Sequence, residues 1–377
     1  MISRRWAALL ACGLLSACAT ETTQMPTVAS AEVDAEAQKQ ADLALKLRMD
    51  DQTRVLAVAY RLMTANAELC PSSKPTVGLF VTTIDGIPKP MRTAASRSMG
   101  LTAAPAVIWT PPESSADKAG LKAGDRVVAV ADWTVTPDAA GQRGVEQRLS
   151  NLGPGDVSLK VAGPAGERLM TLHPVLSCGY SITIADQDDP NAVADGSRIV
   201  VNRGMLRFVK SDDELALIIA HELAHDSERH IRSKQANATA GLVAGGAVDV
   251  LFALGGINTQ GAFMRAGQAA GAGFHSVEFE AEADYVGVYY MARAGYNTEE
   301  VADFWRRYAA EYPASSFVKS DHPTAPARYL SIARARTEIE AKRKASAPLL
   351  PERKKTTAPS TDKPAAATAA GETKPAA

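Results

Sequence analysis

The chain has 377 residues, 46% of them hydrophobic, enough for one large domain or two ordinary ones with genuine cores. Lys plus Arg (41) nearly balance Asp plus Glu (42), giving a formal net charge of -1. No basic field points to nucleic acid and no acidic excess to a basic ligand, so partners must be inferred from sites.

Residues 1–17 predict a secretory signal peptide. Arg4 and Arg5 precede an apolar stretch, Trp6 to Leu15, that is too short to span a bilayer. The signal ends in Leu15-Ser16-Ala17-Cys18, which resembles the bacterial lipobox, whose Cys becomes the lipidated first residue of the mature chain. Cys18 is therefore the expected lipid anchor and residues 18–33 a polar tether. Ala19, rather than Asp, favours the outer membrane by resemblance to lipoprotein sorting rules. With Cys12 lost and Cys18 lipidated, Cys70 and Cys178 are left together in an oxidising compartment and are expected to pair.

Residues 34–70 carry apolar side chains at helical spacing (Leu43, Leu47, Leu56, Tyr60, Met63), which predicts one long helix or two, stopped by Cys70-Pro71-Ser72-Ser73. Residues 74–176 contain short β-branched runs bounded by Gly, Pro and Asp, the pattern of a small β-rich domain. Gly120 and Gly124 permit tight turns before the strand that follows Asp125. The segment Ala119-Gly120-Leu121-Lys122-Ala123-Gly124-Asp125, with the helix-like and strand-like stretches after it, resembles a PDZ domain of the bacterial protease-associated type. Such a domain binds extended peptides by strand addition. Because the two cysteines bracket it, it is expected to be an insertion, with the helix before Cys70 packed on the helical domain after Cys178.

From residue 177 to 343 the pattern turns helical. Arg198 to Asn202 reads as a strand, and Gly204 and Met205 as a turn. Ser211 to Glu214 reads as a capping box opening a helix through His221-Glu222-Leu223-Ala224-His225. Residues four apart share a helix face, so His221 and His225 can present two imidazoles to one Zn²⁺ while Glu222 takes a proton from water. An extended third-histidine motif is excluded, since it requires Gly at 228 and His at 231 where the chain has Glu228 and Ile231; His230 is out of register. The third ligand is then a distant carboxylate or His275. A second buried helix from Ser276 offers Glu278, Glu280, Glu282 and Asp284, with Glu280 and Asp284 on one face, one to ligate and one to orient a histidine. The Gly/Ala-rich stretch from 236 to 273 approaches the length of a membrane span, but Asp249 and its glycines favour a helical hairpin. Residues 344–377 are rich in Pro, Ala, Thr and Lys and read as a disordered tail.

The His221–His225 motif, then Glu280-Ala281-Glu282-Ala283-Asp284, then Asp321-His322-Pro323 with Arg328, resembles the HtpX-like and CaaX-prenyl-protease-like zinc metalloendopeptidases over about residues 179 to 335. The resemblance implies an α+β fold, mainly helical and gluzincin-type with a short edge sheet, beside the inserted PDZ-like domain. It implies one Zn²⁺ per chain on His221, His225 and Glu280, with Asp284 behind them and Glu222 as catalytic base. His322 is implied over the metal, where it either donates to the oxyanion or occupies the fourth coordination position, and Arg328, whose charge does not titrate, is the expected permanent donor. Val277 stands where the family often has Arg. The expected protein is a lipid-anchored endopeptidase of the bacterial cell envelope, facing the periplasm. Its expected clients are polypeptides such as misfolded or unassembled envelope proteins, with no nucleic acid partner. The alternative is a PDZ-based holdase or assembly factor in which zinc is structural.

Overall fold

The computed structural model describes residues 23–255, 257–273, 276–317 and 324–354; the expected signal peptide, Cys18, His275 and His322 lie outside them. Helix α1 (Ser30–Ala65) is a single helix of 36 residues that starts inside the expected tether. Its C-terminal half buries Val55, Val58, Ala59, Leu62 and Met63 in the main core. Nearer its middle, Ala41, Leu45 and Met49 join a small cluster with Ile87, Ala95 and Leu101 of the β-rich domain. One helix thus packs on both parts of the chain.

The β-rich domain runs through β1 (Ser73–Thr76), β2 (Phe80–Thr82), α2 (Arg92–Met99), β3 (Ala106–Trp109), α3 (Ser115–Lys118), β4 (Arg126–Val130), β5 (Trp133–Thr134), α4 (Ala139–Ser150), β6 (Val157–Gly163), β7 (Gly166–Leu172) and β8 (Val175–Cys178). Its antiparallel sheet has the order β2-β3-β4-β6-β7, with β5 paired to β4. Val127, Leu159, Val161 and Leu172 fill the core beneath it. Asp138 caps α4 by accepting from the Gly141 amide at 2.8 Å. Gly120 and Gly124 take positive φ, +81° and +91°, at the turns expected of them. Strand β1 pairs antiparallel with β8, Ser73 opposite Cys178, where the chain leaves and re-enters the rest of the fold. Cys70 and Cys178 are disulfide-bonded there, their Cα atoms 5.5 Å apart.

Beyond it lie β9 (Ser181–Ala185), β10 (Ala192–Ala194), β11 (Arg198–Asn202), α5 (Arg203–Phe208), α6 (Asp212–Ser227), α7 (His230–Leu254), α8 (Ala262–Gly273), α9 (Ser276–Arg293), α10 (Asp303–Glu311), α11 (Ala314–Phe317) and α12 (Ala325–Lys344). The short sheet has the order β10-β11-β9, with β10 antiparallel and β9 parallel to β11. Gly204 and Met205, expected as a turn, belong to α5, which starts close against the preceding loop: a Cβ on Gly204 would lie 2.0 Å from the Asp188 carbonyl oxygen. Only half the expected capping box forms. Ser211 Oγ accepts from the Glu214 amide at 3.2 Å, but the Glu214 carboxylate takes the Lys210 amide and two bonds from Arg307.

Helices α7 and α8 form the expected hairpin, packed backbone to backbone: a Cβ on Gly241 would lie 2.0 Å from the Gly267 carbonyl oxygen. Asp249 caps α8, accepting from the Met264 amide at 2.8 Å. Helix α7 is by length and composition able to cross a membrane, and its side chains are mostly uncovered in the structure. Residues 345–354, inside the expected disordered tail, run back across α9 and α6. Pro351 is buried, and Arg353 grips Glu228 with bonds of 2.6 and 2.8 Å.

Candidate metal centre

Helix α6 is buried on every side from Leu215 to Ser227, as a central helix requires. Asp212, Asp213 and Glu214 in its first turn favour the positive end of its dipole. Helix α9 lies against it at closest approach through Gly287: a Cβ there would sit 3.1 Å from the His221 amide nitrogen and 3.2 Å from the Ala220 carbonyl carbon. That contact brings the carboxylates of α9 under the histidines of α6.

The candidate ligand atoms converge. His221 Nε2 and His225 Nε2 are 3.1 Å apart, and the Glu280 carboxylate faces both, with Oε2 3.4 Å from His221 Nε2 and Oε1 3.4 Å from His225 Nε2. Ligands held at about 2.0–2.1 Å in a tetrahedron would be separated by about 3.3 Å, so the donor set fits one Zn²⁺. His221, His225 and Glu280 are all buried. Charge agrees with geometry. Burial and the Arg328 guanidinium push His221 down, yet its hydrogen bonds to Asp284 and Glu280 outweigh them and raise it to about 9. The carboxylates thus ask for positive charge at a place where a divalent cation would supply it. Burial lowers His225 to about 4, which keeps that imidazole neutral, as a ligand must be.

Asp284 holds His221 from behind: Nδ1 donates to Oδ1 at 3.0 Å. Arg328 donates to the same oxygen at 2.6 Å and from Nε to Oδ2 at 2.8 Å, and its guanidinium stands 3.7 Å over the Trp305 ring. The structure therefore places Arg328 as a clamp on Asp284, with one terminal nitrogen 3.2 Å from His221 Nε2. Glu222 is buried beside the ligands and burial raises its carboxyl to about 7. His221, Glu222, Glu280, Arg328 and Trp305 line one cleft of about 230 Å³, which Asn191 and Ala192 of the short sheet also border.

The structure brings together His221, Glu222, His225, Glu280 and Asp284, whereas Arg328, expected as a donor to the oxyanion, is engaged by the Asp284 carboxylate. His230 and Glu282 carry no role legible in the sequence, yet His230 contacts His225 Nδ1 at 3.1 Å and Glu282 at 3.1 Å. Its spacing hides it, because the helix breaks at Arg229, which takes a left-handed φ of 61° without being glycine. Trp305 gives no sequence signal either; its indole N–H is buried with no protein partner among the described residues.

The model of peptidase family M48 matches residues 165–336. The chain carries a peptidase family M48 domain. Within it fall His221, His225, Glu280, Glu222, Asp284 and Arg328. A putative beta-barrel assembly-enhancing protease of Vibrio cholerae is 31% identical over 128 residues, 32% of this chain and 26% of that protein. The mitochondrial metalloendopeptidase OMA1 of Schizosaccharomyces pombe is 27% identical over 185 residues, 48% of this chain and 53% of that protein. The chain thus spans between about a quarter and a half of the length of these curated relatives. Among solved structures, the HtrA3 PDZ domain bound to a phage-derived ligand matches 28% of this chain and 88% of its own, at 18% identity and a TM-score of 0.21.

Proposed function

We propose that the M48 domain is a zinc-dependent endopeptidase acting on polypeptides in the bacterial cell envelope. The single observation that carries this reading is the convergence of His221 Nε2, His225 Nε2 and the Glu280 carboxylate, with His221 and Glu280 lining a cleft that also holds Glu222. Zinc held there supplies a Lewis acid for the scissile carbonyl and an acidified water. Glu222, buried beside the site, would take a proton from the attacking water and return it to the leaving amine nitrogen. Asp284 keeps the His221 proton on Nδ1, so that Nε2 presents its lone pair to the cleft, and Arg328 fixes Asp284 in turn. His322 belongs to the same reading as the residue over the metal, by resemblance alone.

The names of the relatives, with the signal peptide and Cys18 read from the sequence, support an envelope location. The β-rich domain supports protein clients, delivered as extended chains by strand addition. Zinc-loaded wild type and Glu222→Gln should be incubated with an unfolded protein such as reduced casein. The expected result is cleavage by wild type that falls by at least about 10²-fold in the variant. Wild type that binds the client without cutting it would favour the holdase reading, and equal cleavage by both would remove Glu222 as the base.

A further inference from the structure

We propose that His230 and Glu282 are positioning residues of the metal centre, forming a carboxylate–imidazole–imidazole chain that fixes the tautomer and ring orientation of His225. The proposal rests on the metal-centre reading above and extends it outward from the three ligands.

Local backbone explains how His230 arrives there. Helix α6 ends at Ser227, Arg229 adopts φ 61°, and α7 starts at His230, so the chain turns sharply after the ligand helix. The turn carries the His230 imidazole back against His225, with ring centroids 5.0 Å apart and planes at 79°. On its other face His230 stacks on Phe279, 4.7 Å between centroids at 19°. The residue is 1% exposed and held by packing as well as by hydrogen bonds.

The protons along the chain have one consistent arrangement. His225 Nε2 faces His221 Nε2 and Glu280, so this nitrogen must offer a lone pair to a metal. A neutral imidazole then carries its proton on Nδ1. That proton points to His230 Nδ1, 3.1 Å away, which must accept. His230 in consequence carries its own proton on Nε2 and donates it to Glu282 Oε2 at 3.1 Å. Every donor meets an acceptor in this order; reversing it would put a proton on the ligating nitrogen of His225. His230 is not itself a fourth ligand, since it meets His225 at Nδ1, whereas Nε2 of that ring faces His221 and Glu280. Both ligand histidines are thus backed by a carboxylate of α9, His221 directly by Asp284 and His225 through an intervening ring. Partners of this kind orient a ligand and raise its basicity, and losing one typically costs 10–100-fold in metal affinity.

The test is the zinc dissociation constant, measured by competition with a chromophoric chelator, for full-length wild type, His230→Leu, His230→Gln and Glu282→Ala. Folding of each metal-free protein is followed by circular dichroism. His230→Leu is expected to weaken zinc binding roughly 10–100-fold. His230→Gln, whose side-chain oxygen can still accept from His225, should recover most of that loss, which a simple packing role would not give. Glu282→Ala removes a partly exposed side chain with little risk to the fold and should weaken binding in the same direction. Wild-type affinity in folded His230→Leu or in Glu282→Ala would overturn the proposal, as would a Gln variant no better than Leu. Wild type that binds no zinc would overturn the metal-centre reading itself and this proposal with it.

Discussion

Gly287→Ala separates stability from metal geometry. In an ordinary helix interior, Ala is better than Gly by about 0.8–1 kcal/mol. Here the new methyl would meet the His221 amide nitrogen at 3.1 Å and the Ala220 carbonyl carbon and oxygen at 3.2 and 3.3 Å. These are backbone atoms of the ligand helix and cannot rotate aside. Overpacking of this kind costs about 1–3 kcal/mol, so the net effect should lie between neutral and a loss of about 2 kcal/mol. Relief requires α9 to retreat from α6, taking Glu280 and Asp284 with it. The His–Glu spacings are 3.4 Å, and a site of this kind tolerates displacements of only about 0.5 Å. Zinc affinity should therefore fall by about tenfold, as for loss of an orienting partner. Urea unfolding of the metal-free protein and chelator competition measure the two effects separately. A variant stabilised by about 1 kcal/mol with unchanged zinc affinity would refute the close approach of the two helices.

Arg328→Ala leaves Asp284 buried without its clamp and should cost about 3–5 kcal/mol in thermal unfolding, whereas Arg328→Lys keeps a charge and should lose less; a loss under about 1 kcal/mol would contradict the clamp. The Cys70–Cys178 bond closes a separation of 108 residues, worth about 5 kcal/mol in the chain-entropy description, so Cys70→Ser/Cys178→Ser should unfold at much lower urea. Two free thiols in non-reducing peptide maps of the wild type would cancel that expectation. His322→Ala should keep zinc and gain basal proteolysis if His322 latches the metal, or lose about 10²- to 10³-fold in kcat if it donates to the oxyanion. Wild-type rate and affinity would remove it from the site.

How much of the fold and the site is legible in the sequence depends on which forces act locally. The two histidines declare themselves because a helix repeats every 3.6 residues and their apolar neighbours fix which segment is helical. Glu280 and Asp284 share a face by the same rule. The inserted domain shows in its β-branched runs and in the cysteines that bracket it. His230 is not legible, since its role depends on a break at Arg229 that no Gly or Pro marks. Glu214 reads as a capping residue only until Arg307, 93 residues away, competes for its carboxylate. The ordered stretch 345–354 looks like tail because it shares the Pro- and Ala-rich composition of the residues after it, whereas its order comes from Arg353 meeting Glu228 and from burial of Pro351. Long-range partners of this sort leave no local periodicity to read.

The most direct test of the metal centre is an anomalous-difference map at the zinc edge from crystals of the zinc-loaded protein. One peak is expected, at about 2.0–2.2 Å from His221 Nε2, His225 Nε2 and a Glu280 carboxylate oxygen. No peak in that triangle, or a peak that leaves Glu280 out of its coordination, would contradict it.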